Sequence, residues 1–126
     1  MDSPLDPERS AEAGAAPEAA AGPAPTPVGE YAARLAAELR SRPRATVTGE
    51  LADVRRSRVQ VYFQLRDERG GLPCAMWRDA FERAKLPPEA FRDGAQVIAT
   101  GGPDYYVGGR SASPAFSFRV TELRLG

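Results

Sequence analysis

In "VQVYFQLRD", Val59–Asp67, apolar side chains stand at every second position: Val59, Val61, Phe63 and Leu65 on one side, Gln60, Tyr62, Gln64 and Arg66 on the other. A period of two is the signature of a strand with one buried and one wet face, and no helix can satisfy it. The chain around it must therefore supply further strands to pair with it and an apolar layer to cover Val61, Phe63 and Leu65.

Those strands are legible on both sides. In "ATVTGELADV", Val47, Gly49 and Leu51 share a face, and the glycine in mid-strand marks a bulge or sharp bend. After the turn "RGG", the stretch "LPCAMWR" directs Leu72, Cys74 and Met76 inward with Phe63 and Leu65 and leaves Trp77 to the opposite side. "DAFERAKLPPEAF" reads as a short helix capped by Asp79, with Phe81 and Ala84 inward and a stop before Pro87. "AQVIATGGPDYY" and "FSFRVTELRL" are the fourth and fifth strands, separated by the loop "VGGRSASPA". Five strands with a small helix between the third and fourth is the layout of an OB-fold, a mainly β, five-stranded Greek-key barrel.

Ahead of the strands the period is helical. In "VGEYAARLAAELRSRP", Tyr31, Leu35 and Leu39 recur at every fourth position with Ala32 and Ala36 beside them, between Pro27 and Pro43. This predicts a helix of about three turns that docks its stripe on the barrel. Residues 2–27 are mostly Ala, Pro, Glu and Gly with Leu5 as the one large apolar residue, too little to offset the entropy of ordering. The expected division is a disordered leader over 1–27 and a helix plus barrel over 28–126.

Composition excludes several chemistries. The chain has no histidine and one cysteine, Cys74, so zinc held by nitrogen and sulfur, a Ser-His-Asp or Cys-His nucleophile and an internal disulfide are all closed to it. The carboxylates Asp53, Asp67, Glu68 and Asp79 are the candidates left for holding Mg²⁺, but Asp67 and Glu68 sit where acids are ordinary turn residues; no metal, cofactor or catalytic residue is assigned. No apolar run is long enough to span a membrane, and Met1–Val28 lacks the basic start and apolar block of a secretory signal. The expectation is a cytoplasmic protein with no membrane partner.

Charge then points to a ligand. Seventeen cations balance seventeen acids, yet residues 1–42 carry four arginines against seven acids and residues 43–126 carry thirteen cations against ten. The barrel is thus mildly basic. An OB-fold typically presents the outer face of strands two and three, with the loops joining strands one to two and four to five, to an oligonucleotide or oligosaccharide. Here the first loop holds Arg55, Arg56 and Arg58, the face holds Tyr62, Gln64, Arg66, Trp77 and Arg78, and the second loop holds Tyr105, Tyr106 and Arg110. Of the adjacent tyrosines only one can face the groove, and Tyr106 is assigned to it. Trp77 has a second reading as a plug between the barrel and the Asp79 helix. Aromatic rings stack on unpaired bases and arginines neutralise phosphates, which is what a single strand asks of a protein and what no base identity is needed for.

The ordered runs "VGEYAARLAAEL", "VTGELADVRRS", "VYFQLRDERGGLPCAMWR", "GAQVIATGGPDYY" and "FSFRVTEL" resemble the amino-terminal domain of the large subunit of exodeoxyribonuclease VII. The hallmarks stand as Gly49-Glu50-Leu51 with Arg55-Arg56, Tyr62-Phe63-Gln64-Leu65-Arg66-Asp67, and Cys74-Ala75-Met76-Trp77-Arg78. The resemblance spans about residues 28–125. It implies an OB-fold that feeds single-stranded DNA to a nuclease within a complex of large and small subunits. One departure is Val59, where the family often has a glycine before its Tyr-Phe. The catalytic and coiled-coil region expected after such a domain does not follow here, so the expected form is a fragment or truncated subunit, and no catalytic or small-subunit contact residue carries over. The alternatives are a stand-alone OB-fold used for protein contact or for binding tRNA or other RNA.

Overall fold

The structure, a computed structural model, describes residues 24–126. Most of the leader expected over 1–27 lies outside the described residues. The elements follow the order read from the periodicities: α1 (Val28–Arg40), β1 (Ala45–Arg56), β2 (Gln60–Asp67), β3 (Gly70–Trp77), α2 (Arg78–Ala84), a 3-10 turn (Pro88–Ala90), β4 (Gln96–Tyr106) and β5 (Ala115–Leu125). The five strands close into a barrel in the order β1-β2-β3-β5-β4, with β4 returning to β1. All neighbours are antiparallel except β3 and β5, which meet in parallel over Cys74↔Phe118 and Ala75↔Arg119.

Closure buries one face of every strand. Leu51, Val61, Phe63, Leu65, Met76, Val97, Ala99, Phe118, Val120 and Leu123 form a single core, and removal of this apolar surface from water is the main force holding the barrel. Cys74 joins it; burial pushes its thiol up to about 12, a value at which it is a small apolar residue and no nucleophile. One end of the barrel is stoppered by Phe81 and Phe91, whose ring centroids lie 4.6 Å apart, with Phe91 edge-on to Phe63 at 5.6 Å. Trp77 is not part of this plug. The short helix also begins differently from expectation: Trp77 occupies the N-cap position, no side chain caps the helix, and the Arg78 N–H donates to the Val59 carbonyl at 2.8 Å. Lys85, at φ 56, ends it two residues before Pro87.

Docking of α1 uses less of its stripe than the periodicity suggests. Ala36 is buried and Ala32, Leu35 and Leu39 are half-buried, but Tyr31 remains 63 % exposed. The helix is instead anchored at its end, where Arg40 Nε donates to Asp104 Oδ1 at 2.6 Å and Arg40 Nη2 to the Tyr105 carbonyl at 3.4 Å.

Two irregularities shape β1. At Gly49 a side chain would have its Cβ 2.9 Å from the Arg66 carbonyl oxygen, so the glycine marks a close approach of backbones at the bend where β1 passes from β4 to β2. The bulge itself is farther on. Ala52 pairs with Gln64 and Arg55 with Tyr62, so β1 spends one extra residue, and Asp53 takes φ 54. The Asp93 carboxylate accepts from the two N–H groups this leaves without a ladder partner, Asp53 at 3.3 Å and Val54 at 3.2 Å. Replacing Asp93 with Ala should therefore lower stability by about 1–2 kcal/mol, read as a lower midpoint in urea with an unchanged slope; an unshifted midpoint would show that solvent serves these donors equally well.

Candidate nucleic-acid interface

The bulge decides which arginine faces outward. Strict alternation from buried Leu51 would turn Arg55 toward the core and Arg56 to solvent; the extra residue reverses this. Arg55 shares the outer face with Tyr62, its guanidinium carbon 5.8 Å from the ring centroid. Arg56 pairs with inward-facing Val61 and lies over the barrel plug, 5.7 Å from the Phe81 ring and 5.5 Å from Phe91. It stands apart from the groove residues.

Along β2 the outer face continues as Gln60, Tyr62, Gln64 and Arg66. Arg66 is held in the sheet plane: its Nε and Nη2 donate to Gln64 Oε1 at 3.0 and 2.7 Å, and Nη2 also to Asp53 Oδ2 at 3.2 Å. The adjoining turn is set by Asp67, whose Oδ1 accepts from the N–H groups of Arg69 at 2.8 Å and Gly70 at 3.0 Å. Asp67 is thus a turn residue with its acceptor occupied, and among the described residues no three His, Cys, Asp or Glu side chains gather where a metal could sit.

On β3, Trp77 is 52 % exposed and registers with Gln60. The side chain that completes this corner comes from β5. Arg119 places its guanidinium carbon 4.6 Å from the Trp77 ring centroid and donates from Nη1 to Gln60 Oε1 at 2.8 Å. Burial lowers the pKa of Arg119, while the Asp104 charge and Tyr62 raise it; an arginine so placed is still a cation at neutral pH. Asp104 is pulled both ways. Desolvation, the largest single influence, raises its carboxyl, but the hydrogen bonds from Arg40 and the Tyr105 N–H and the charges of Arg40 and Arg119 together hold it below its ordinary value. The outer face therefore carries two arginine-on-aromatic pairs, Arg55 on Tyr62 and Arg119 on Trp77, with Asp104, bonded to Arg40 at the end of α1, near enough to Arg119 for their charges to act on each other.

Arg119 and Gln60 were not singled out from the sequence. The alternation of "FSFRV", with Phe118 and Val120 buried and Ser117 and Arg119 turned out, carries the signal, but only the parallel β3–β5 contact shows that Arg119 shares a face with Trp77. The remaining candidates divide. Tyr106, 53 % exposed, lies on the same face of β4 as Asp104, whereas Tyr105 alternates to the other side opposite Phe116. Arg110 sits exposed in the β4–β5 loop, pinched by the Gly109↔Ala112 bridge. Arg58 and Arg78 are brought together with Trp77 beside the β1–β2 loop, where Arg78 Nη1 donates to the Ser57 carbonyl at 2.9 Å. Val59 needs no glycine there: among the described residues only Asp53 and Lys85 are non-glycine residues with positive φ.

Comparison with known proteins bears on the barrel as a whole. Residues 26–124 match the family described as OB-fold nucleic acid binding domain. The chain is 38 % identical over 64 residues to the exodeoxyribonuclease 7 large subunit of Bartonella quintana (strain Toulouse), and 39 % identical over 57 residues to that of Chelativorans sp. (strain BNC1). These matches take in 49 % and 44 % of the chain but 13 % and 10 % of the relatives, so the chain spans a small part of their length. The resemblance read from the motifs is thus borne out. Among solved structures, the asparaginyl-tRNA synthetase of Entamoeba histolytica superposes with a TM-score of 0.53 at 20 % identity, over 66 % of this chain and 20 % of that one. That of Pyrococcus horikoshii does so with a TM-score of 0.50 at 18 % identity, over 70 % and 20 %. At such identity the likeness is one of fold. With a closed five-stranded barrel and a match that runs through all five strands, the chain belongs to the OB-fold nucleic acid binding domain family.

Proposed function

We propose that the chain binds single-stranded DNA across the outer face of β2, β3 and β5, as the domain of an exodeoxyribonuclease VII large subunit that feeds the strand to a nuclease, in concert with the small subunit and in the cytoplasm. The observation that carries this reading is the pair of stacks, Arg55 on Tyr62 and Arg119 on Trp77. Each sets a cation against an aromatic ring and so presents a flat surface, ring or guanidinium plane, on which a base can stack next to a charge for the adjacent phosphate, which is the repeating requirement of a single strand. Its groove carries arginines, amides and aromatic rings, and its carboxylates Asp53 and Asp104 are engaged by Arg66 and Arg40, an arrangement that suits binding.

Salt is the test. With about three to five phosphates neutralised, the logarithm of the association constant for oligo-dT should fall with the logarithm of salt at a slope of roughly −2 to −3.5. Arg55→Ala together with Arg119→Ala should make that slope shallower by about one to one and a half units and weaken all sequences alike. Affinity that ignores salt, or a slope untouched by the double substitution, would reduce both arginines to solvated surface.

A further inference from the structure

Beside the groove lies an open hollow of about 570 Å³ lined by Arg58, Val59, Trp77, Arg78, Asp79 and Glu82. In the groove the carboxylates Asp53 and Asp104 are hydrogen-bonded to Arg66 and Arg40; the hollow differs. Val59 and Trp77 are both more than half exposed and adjoin each other, since the Arg78 N–H bonds the Val59 carbonyl. Trp77 is shared: Arg119 covers its ring from the groove while the same residue borders the hollow. Next to this apolar pair stand two carboxylates. Glu82 meets Arg78 at 3.7 Å, and Asp79 makes no ion pair or side-chain hydrogen bond among the described residues. Arg58 likewise has no carboxylate partner among them.

A surface built only to attract phosphate has no use for carboxylates, which repel the backbone. Carboxylate oxygens do serve one group of a nucleic acid well, the exocyclic amine of a base: Asp and Glu accept from the N4 amine of cytosine, a contact that thymine and uracil, with a carbonyl at that position, cannot make and that turns repulsive for them. We propose that this hollow is a subsite for one base bearing an amine on its pairing edge, with cytosine its best pyrimidine. The base packs against Trp77 and Val59, Asp79 and Glu82 accept from its amine, and Arg58 neutralises the neighbouring phosphate. This rests on the reading of the groove as a single-strand site and adds to it a preference at one position in an otherwise tolerant tract.

Deoxycytidine and deoxyuridine form the cleanest pair of probes, because they stack nearly alike and differ only in the amine or oxygen at position four. Titrations with labelled oligo-dT of ~12 nucleotides, carrying one deoxycytidine or one deoxyuridine at its centre, should show the deoxycytidine strand bound about fivefold more tightly or better. Asp79→Asn with Glu82→Gln should abolish that preference while tightening all strands somewhat, since two repelling charges are gone. A merely structural role for these acids would instead weaken every strand and keep the preference. Equal binding of the two strands by the unaltered protein, or a preference that survives the double substitution, overturns the subsite and leaves the groove standing. Binding of no strand at all overturns both.

Discussion

Gly101→Ala is expected to cost about 3 kcal/mol or more, the upper end of what overpacking does in a fitted interior. A Cβ at this position would lie 2.0 Å from the carbonyl oxygen of Arg119, 2.8 Å from its carbon and 2.9 Å from the Val120 Cα. All three are backbone atoms of the paired strand, so no side chain can swing aside to make room. Relief requires β4 and β5 to part where the ladder is already irregular, between Thr100 and Gly101. It would also shift Arg119 and so loosen its stack on Trp77. Gly102→Ala is the control: it is the next residue on the same strand, and a Cβ there meets nothing within 4 Å. Urea unfolding of both variants should show a large loss for the first and near-native stability for the second. If Gly101→Ala unfolds with the unaltered protein, the two strands are more compliant than a barrel of this closure permits.

Tyr62→Ala and Trp77→Ala should each weaken oligo-dT by about 1–3 kcal/mol, about fivefold to more than a hundredfold, because each removes a plane on which a base stacks. Neither ring belongs to the core cluster, so circular dichroism and the unfolding midpoint should stay close to native. The two positions are near neighbours across β2 and β3, and their losses need not add. A second readout separates stacking from charge. Removing rings leaves the arginines in place, so the salt slope should be unchanged while the affinity falls; removing Arg55 and Arg119 should lower the affinity and make the slope shallower as well. Equal affinity in a folded double variant would take stacking out of the account.

Much of this architecture was legible because it follows from local periodicity. The alternation of Val61, Phe63 and Leu65 against Tyr62, Gln64 and Arg66 names the buried and open faces of β2 without any knowledge of its neighbours, and the change from a period near four to a period of two locates the end of α1. The fold class follows from the number and order of such segments. The lack of histidine and the single cysteine, buried as expected, narrow the chemistry equally directly.

What periodicity cannot carry is any place where a distant residue resets it. Arg55 and Arg56 are adjacent and chemically identical, and which of them faces the groove is settled by one extra residue in β1, held at Asp53 and Val54 by a carboxylate forty positions away at Asp93. Arg119 is an ordinary outward position on the last strand until the parallel meeting of β3 and β5 lays it over Trp77. Trp77 itself is free of the barrel end because Phe81 and Phe91 fill it first. The sequence by itself determined the strands, the buried faces wherever a strand runs without a bulge, and the kinds of side chain available to a ligand, since each depends on residues one to four apart. Only the tertiary structure decided which cations and rings meet, because a bulge and a barrel closure act across the whole chain and a shift of one residue exchanges the faces of a strand.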